Sequence, residues 1–494
     1  MRNDDGNSSL DEKNLEKKMN KGFIWAGLEL IGRQGISFIV QIVLARILIP
    51  SDFGLVGMLA IFIGISNVII DSGFQVWLLQ EKKPTNVEFS TVFFFNLFAA
   101  GMLYIILFSI APFVAVFYQK EILSSMLRVL SLTIVFSAFS LIHRTKLSIQ
   151  LNFKTQTIIS TISMIISGSI AIVLAYMGFG VWSLVLQQVF NQMLLSIFFI
   201  AFNRWWPSLT FDWQVFRKMF HYSWKLLVSG LMDTAYLNGT SVLVGRFFPA
   251  ATLGFYTNAQ KMSDVVAQSV SGAVQKVSFP ALSKVKEDKN KLKIRFQSTL
   301  KLTVFFTVPV MFGLSSCGYE LFNILFGEKW LPAIPYFQLL CIAGSFFPLH
   351  VLNLNILQIV GRTDRFLILE IIKKVIAISF LLVSLVIFRS VLALVWATLI
   401  VDFLLIYANG FYTKEILNYS VWDQLKDIAT TLVAGLTMWG IIYFSTQFLA
   451  AGTLSTLLIK IAIGSISFVV ISYILKNSEL FKATKLINKV FIHK

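Results

Sequence analysis

Charge is what this chain has least of. Charged residues make up 14% of it and hydrophobic residues 56%, a balance that excludes a soluble globular protein of 494 residues. Acidic residues are the scarcer kind: 25 Asp and Glu stand against 42 Lys and Arg, giving a net charge of +17. Cysteine is nearly absent. Cys317 and Cys341 lie in apolar runs without metal-ligand spacing, which points to two free thiols rather than a disulfide framework or a zinc site. Of the four histidines, His143, His221 and His493 fall at the ends of apolar segments and His350 stands by itself beside Pro348, so no metal cluster is expected. No Gly-rich loop ending in Lys-Ser or Lys-Thr follows a strand, which removes the machinery of an ATP-driven pump. No cofactor is expected.

Apolar stretches of bilayer-spanning length recur along the whole chain. They predict an all-α integral membrane protein of fourteen transmembrane helices, at roughly 22–48, 53–79, 89–118, 122–142, 154–177, 181–202, 219–247, 254–277, 296–317, 333–360, 366–388, 391–411, 427–449 and 455–475. Met1–Lys21 is polar and charged, so the first stretch reads as a retained span behind a cytoplasmic tail and not as a secretory signal. The connections alternate sharply in charge. The tail, every second loop and the far end hold 28 Lys and Arg, among them Lys82, Arg144, Arg217, Lys284, Arg362 and Lys414; the loops between hold five, Arg46, Lys120, Arg246, Lys329 and Arg389. That asymmetry puts both termini on the cytoplasmic side and explains the net charge without nucleic acid. The longest outer connection, about 318–332, is too short for a catalytic domain, which argues against a loop-catalysed membrane transferase.

The chain also repeats itself. Leu44-Ala45-Arg46 with Pro50 and Gly54 is echoed by Val244-Gly245-Arg246 with Pro249 and Gly254. Asp71-Ser72-Gly73 answers to Ser271-Gly272, and His143-Arg144-Thr145-Lys146 to Gly361-Arg362-Thr363-Asp364. Six helices separate equivalent points, which predicts two parallel six-helix repeats around a central cavity, with two extra C-terminal helices. The expected division is a tail at 1–21, an N-lobe at 22–202, an interfacial linker at 203–218, a C-lobe at 219–411, helices thirteen and fourteen within 412–475, and a basic amphipathic tail at 476–494. Trp205, Trp206 and Trp213 beside Arg217 and Lys218 suit headgroup depth, as do Lys482, Lys485 and Lys489 among the apolar residues of the last segment.

A charge at mid-bilayer costs about 2.5–3.5 kcal/mol even on the lenient insertion scale, so it faces a cavity or a partner. Glu29 and Arg33 lie one turn apart on the first helix, and Arg33 sits about 18 Å inside at 1.5 Å per residue. The seventh helix carries Lys225 near its inner end and Asp233 near its middle; Asp233 is the repeat counterpart of Arg33, with opposite sign. The eighth carries Lys261 and Asp264 beside Asn258 and Gln260, the twelfth Asp402, and the eleventh Glu370, Lys373 and Lys374. Snorkelling and intrahelical pairing account for the last three, and snorkelling is open for Lys225 as well. Arg33, Asp233 and Asp264 are too deep for it and fit either a water-filled cavity or buried structural pairs.

The run Leu44-Ala45-Arg46-Ile47-Leu48-Ile49-Pro50-Ser51-Asp52-Phe53-Gly54-Leu55 resembles the opening signature of Wzx-type polysaccharide exporters, in the multidrug/oligosaccharidyl-lipid/polysaccharide exporter superfamily. Gly178-Phe179-Gly180-Val181-Trp182-Ser183-Leu184-Val185, Phe279-Pro280-Ala281-Leu282-Ser283, Phe326-Gly327-Glu328-Lys329-Trp330 and Gly361-Arg362-Thr363-Asp364 are similar to later turns of that family. Their order over most of the chain is nearest to the colanic-acid and O-antigen branch. The resemblance implies a non-enzymatic flippase of the bacterial inner membrane. It would carry undecaprenyl-diphosphate-linked oligosaccharide to the outer leaflet by alternating access, for O-antigen, capsule or exopolysaccharide synthesis. It implies membrane lipids, a glycan polymerase and other export proteins as partners, and coupling to protons or sodium ions. From the residues themselves, Arg33, Lys225 and Lys261 are expected to contact diphosphate or sugar acid, and Glu29, Asp233 and Asp264 to gate or couple. An ion-coupled multidrug or cation antiporter of the same superfamily is the alternative, though an acidic cavity would suit it better. A glycan polymerase or scaffold is a further one.

The charge alternation makes a direct prediction. With Cys317 and Cys341 replaced by Ser, a membrane-impermeant maleimide applied to intact cells should label Lys329→Cys and spare Glu287→Cys. The reverse pattern would invert the expected topology.

Overall fold

A computed structural model describes residues 32, 34–71, 73–81, 84–446 and 452–482, with backbone only at 268–281, 363, 367 and 446. The described chain is helical apart from short turns. Its helices are α1 (Gln34–Ile47), α2 (Pro50–Asp71), α3 (Phe74–Gln80), α4 (Asn86–Tyr118), α5 (Ile122–Leu130), α6 (Leu132–Ile149), α7 (Phe153–Tyr176), α8 (Val181–Asn203), α9 (Trp213–Phe247) and α10 (Ala250–Ser283). There follow α11 (Lys289–Ser316), α12 (Gly318–Leu325), a 3₁₀ turn (Glu328–Ala333), α13 (Ile334–Gly344), α14 (Phe347–Ile359), α15 (Thr363–Phe388), α16 (Val391–Leu417), α17 (Val421–Thr446) and α18 (Thr453–Ile474). Among the described residues, eleven helical stretches are long and apolar enough to cross a membrane. Large apolar side chains stand exposed along them, Phe98, Phe113, Val116, Val386 and Ile466 among them, as helices in lipid require. This is an all-α, multi-pass membrane fold.

Local chemistry sets the helix starts. Thr85 and Glu88 form a reciprocal capping box on α4. Asn152, Asp212 and Asp288 each accept backbone N–H groups at the head of α7, α9 and α11. At Asp288, in the basic connection, the backbone N–H of Lys291 and then its ammonium hold the carboxyl below the usual carboxylate range. Gly361 supplies the positive φ that turns α14 into α15. Trp330, at the end of the Phe-Gly-Glu-Lys-Trp turn, is fully buried against the rings of Phe326 and Phe255.

Three segments expected as single helices are broken. The second bends at Gly73, whose φ of 71° is left-handed, separating α2 from α3. The fourth is interrupted at Ser131, where a turn divides α5 from α6. The tenth stops at Gly344 and restarts at Phe347, because Pro348 is tolerated in the first turn of a helix but would break one running through it. The outer connection near 318–332 is itself structured, as α12 and the 3₁₀ turn.

The chain divides into two compact units, residues 1–254 and 255–494. In the first, α9 runs along α2 on a seam of small residues. From one end, Gly73 meets Leu226 and Ser223, Gly230 meets Val68, Gly64 meets Thr234, and Gly245 meets Met58 and Tyr118. At the far end the two echoed glycines close on each other's helix start. A Cβ on Gly54 would stand 1.8 Å from the Ala250 carbonyl oxygen, and one on Gly254 would stand 1.9 Å from that of Pro50. Backbones this close admit only glycine. The unit is filled on one side by Phe74, Trp77, Phe89, Phe93, Ile142 and Met219.

In the second unit one large core joins α11, α14, α16, α17 and α18. Gly435 of α17 lies against Val308 of α11, and Gly464 of α18 against Ile442 of α17. The last two helices are therefore packed into the unit's core.

Replacing Gly54 or Gly254 by Ala should lower stability by about 1–3 kcal/mol or more through backbone displacement. Gly440→Ala, where a Cβ meets nothing within 4 Å, should be neutral or slightly stabilising. Thermal unfolding in detergent measures both, and equal behaviour of the three variants would contradict the close approach.

Candidate functional site

Polar groups collect on a few helices. Among the described helices of 18 residues or more, α9 and α10 are the two that fall short of the apolarity of the eleven. α9 turns Gly230, Thr234 and Leu226 toward α2. Asp233 lies about 20° round the helix from Leu226 of that seam and Lys225 about 100° from it, the two charges about 12 Å apart along the axis. Lys225 is exposed, with its ammonium 5.9 Å from the Trp224 ring; Asp233 is half-buried and engaged in an interaction. Asn238, a turn further on, donates to the Thr234 carbonyl at 2.9 Å.

In the second unit, α10 buries Ser263 against Gly344 of α13, where Ala267 and Met311 also approach. Lys261 lies about 160° round the helix from Ser263 and keeps its accessible surface. Asp264 is half-buried one turn on, and Asn258 is buried on the preceding turn. The structure thus places Lys225 with Asp233 in one unit and Lys261 with Asp264 in the other. Glu29 and Arg33 lie outside the described residues, as do most of the basic tail and the segment 1–21.

The second unit also holds two polar networks. In one, Glu370 of α15 binds the ammonium of Lys373 through Oε1 and approaches that of Lys374 through Oε2 at 3.6 Å, so the three charges pair within their own helix. In the other, Asn353 of α14 and Gln424 of α17 exchange amide hydrogen bonds of 2.8 and 3.0 Å while Thr413 of α16 donates to Asn353 at 2.6 Å. His350 does not stand by itself: its Nδ1 is 2.9 Å from the Asn409 amide nitrogen. A buried amide satisfied from three helices fixes their rotation, because any other register leaves polar atoms unpaired in an apolar core.

One pair escaped the sequence reading altogether. Lys460 of α18 and Glu320 of α12 are both buried, at 2.8 Å, and Lys460 also donates to the Ser316 carbonyl at 3.1 Å. The available signal was a solitary lysine in a 22-residue apolar helix. At the helix ends, Arg362–Glu415 (2.6 Å) and Lys301–Asp427 (3.0 Å) tie α15 to α16 and α11 to α17. Among the described residues no cluster of His, Cys, Asp and Glu could hold a metal ion.

A profile of the family described as "Polysaccharide biosynthesis protein" matches residues 43–335, more than half of the chain. The chain belongs to this family. Among its relatives is the teichuronic acid biosynthesis protein TuaB of Bacillus subtilis, 28% identical over 60% of the chain and 62% of TuaB, so the chain spans less than two thirds of that relative. Two others are the succinoglycan biosynthesis transport protein ExoT of Rhizobium meliloti, 26% identical over 66% of each, and the lipopolysaccharide biosynthesis protein WzxC of Escherichia coli, 23% identical over 67% of the chain and 68% of WzxC. Of solved structures, the lipid II flippase MurJ in an inward closed conformation superposes with a TM-score of 0.74 at 14% identity, covering 92% of the chain and 99% of MurJ. A multidrug resistance transporter of the MATE family, inward-facing, gives 0.62 at 12% identity over 80% and 98%. At these identities the likeness is one of fold.

Removing one partner of the Lys460–Glu320 pair strands a buried charge. Lys460→Met or Glu320→Gln should cost about 3–5 kcal/mol, and the double variant Lys460→Met/Glu320→Met should recover part of it. Thermal unfolding of the purified protein decides; additive losses would show that the two groups do not support each other.

Proposed function

We propose that this protein is a flippase that moves lipid-linked oligosaccharide from the cytoplasmic to the outer leaflet of the bacterial inner membrane, without chemistry, by alternating access. The observation that carries the reading is the pair of polar helices α9 and α10 within an otherwise apolar fold like that of a lipid II flippase. Helices that keep Lys225, Asp233, Lys261 and Asp264 inside a bilayer-spanning protein need a protein partner, water or a polar ligand beside them. A diphosphate-linked sugar supplies anionic and hydroxyl groups to match. In this reading fourteen spans form two parallel six-helix lobes with α17 and α18 added, and both termini are cytoplasmic. Arg33, Lys225 and Lys261 bind the anionic part of the substrate. Glu29, Asp233 and Asp264 gate the cavity or exchange a proton or sodium ion. Relatives named for teichuronic acid, succinoglycan and lipopolysaccharide support a bacterial glycan as cargo.

Arg33→Ala and Lys261→Ala should each cut glycan export roughly tenfold or more, the scale of one charged contact, while membrane levels of the protein hold. The undelivered lipid-linked glycan should accumulate on the cytoplasmic leaflet. Asp233→Asn should change the dependence of export on the proton or sodium gradient. Undiminished export in the cationic variants removes those residues from the site, and unchanged gradient dependence makes Asp233 structural.

A further inference from the structure

The segment that joins α8 to α9 is built inside out. Its polar groups point into the protein. Asn203 donates to the His143 carbonyl (3.2 Å), the Ser208 backbone N–H donates to Ser90 Oγ (3.0 Å), and the Asp212 N–H donates to Thr91 Oγ1 (3.2 Å). Trp205 donates from its indole N–H to Asn86 at 2.7 Å, and its ring lies among Phe89, Phe93 and His143 with the Lys146 ammonium 4.7 Å from its centre. The strap is thus fixed along its length to the ends of α4 and α6.

Several of its large apolar side chains, unlike Trp205, point the other way. Trp206 is 74% exposed, Leu209 93% and Trp213 62%. Trp213 continues into a stacked ladder with Phe216 and Phe220, at centroid distances of 5.2 and 5.9 Å. A fixed segment with its polar side satisfied inward and its apolar side turned out is stable only against a non-aqueous surface. Charge narrows that surface further. Arg204 and Arg217 are exposed beside these rings and make no ion pair among the described residues. Lys218 is partnered by Glu81 at 3.4 Å, and the Asp212 carboxylate is turned to the N–H groups of Gln214 and Val215. Indole rings at headgroup depth with unpartnered guanidinium groups beside them match a layer of anionic phospholipid.

We propose that residues 204–220 form a built anchor for anionic phospholipid headgroups. Trp206, Leu209 and Trp213 sink into the interface, and Arg204 and Arg217 select the headgroup charge. The anchor would hold the start of α9, and with it the α2–α9 seam, at a set depth.

The test is tryptophan quenching of the full-length protein in nanodiscs, read as the difference between wild type and Trp206→Phe/Trp213→Phe. Both indoles are exposed, so the substitution leaves the core intact. The difference signal should be quenched by brominated phosphatidylglycerol and more weakly by brominated phosphatidylcholine. Arg204→Gln/Arg217→Gln should keep the quenching and lose the preference for phosphatidylglycerol by about fivefold per arginine. Quenching by aqueous iodide but by neither bromolipid would overturn the proposal in favour of a water-facing or soluble-partner surface. Equal quenching by the two bromolipids in the wild type would overturn the headgroup assignment.

Discussion

The close approach of α2 and α9 is the constraint on which the first unit depends. In lipid, helices gain little by hiding apolar surface from one another, so their association rests on backbone contact and packing. Here that contact runs from Gly73 through Gly230 and Gly64 to Gly245, and just beyond the end of α9 it passes into the reciprocal crossing of Gly54 on α2 with Gly254 at the start of α10. A seam this narrow fixes which residues of α9 face α2 and so which are left beside it. Lys225 and Asp233 are among those left, and they are part of what sets α9 below the eleven apolar stretches in apolarity.

The second unit meets the same demand differently. Its interior is apolar across α11, α14, α16, α17 and α18, and its main polar groups are gathered into paired sets. Asn353, Gln424 and Thr413 satisfy one another, Glu370 takes up Lys373 and Lys374, and Lys460 is answered by Glu320 and a backbone carbonyl. Lys261, exposed on α10, is the contrast. The proposed function makes this cation a substrate contact.

Much of the fold was legible because lipid imposes a simple rule of length and apolarity on each helix. Every segment expected to be helical contains described helix, and the glycine echo that suggested duplication has a steric meaning, since both glycines sit where a Cβ would strike a carbonyl. The breaks at Gly73, Ser131 and 345–346 were not legible, because apolar periodicity continues across a bend. Pairings such as Lys460 with Glu320 join residues 140 positions apart, and composition carries no trace of partners brought together by packing. The deep charges on α9 and α10 were visible as costs; which surface each one meets depends on helix rotation, which the seam and the Ser263–Gly344 contact set.

The proposed transport of a lipid-linked glycan rests on family membership, a fold like that of a lipid II flippase and the polarity of α9 and α10. The most direct test is reconstitution of the purified protein into vesicles containing a polyprenyl-diphosphate oligosaccharide, with leaflet position read by a lectin that cannot cross the bilayer. The account predicts protein-dependent transfer of the glycan between leaflets, at a rate well above that of empty vesicles. Transfer no faster than in empty vesicles, with efflux of a hydrophobic cation from the same preparation, would contradict it.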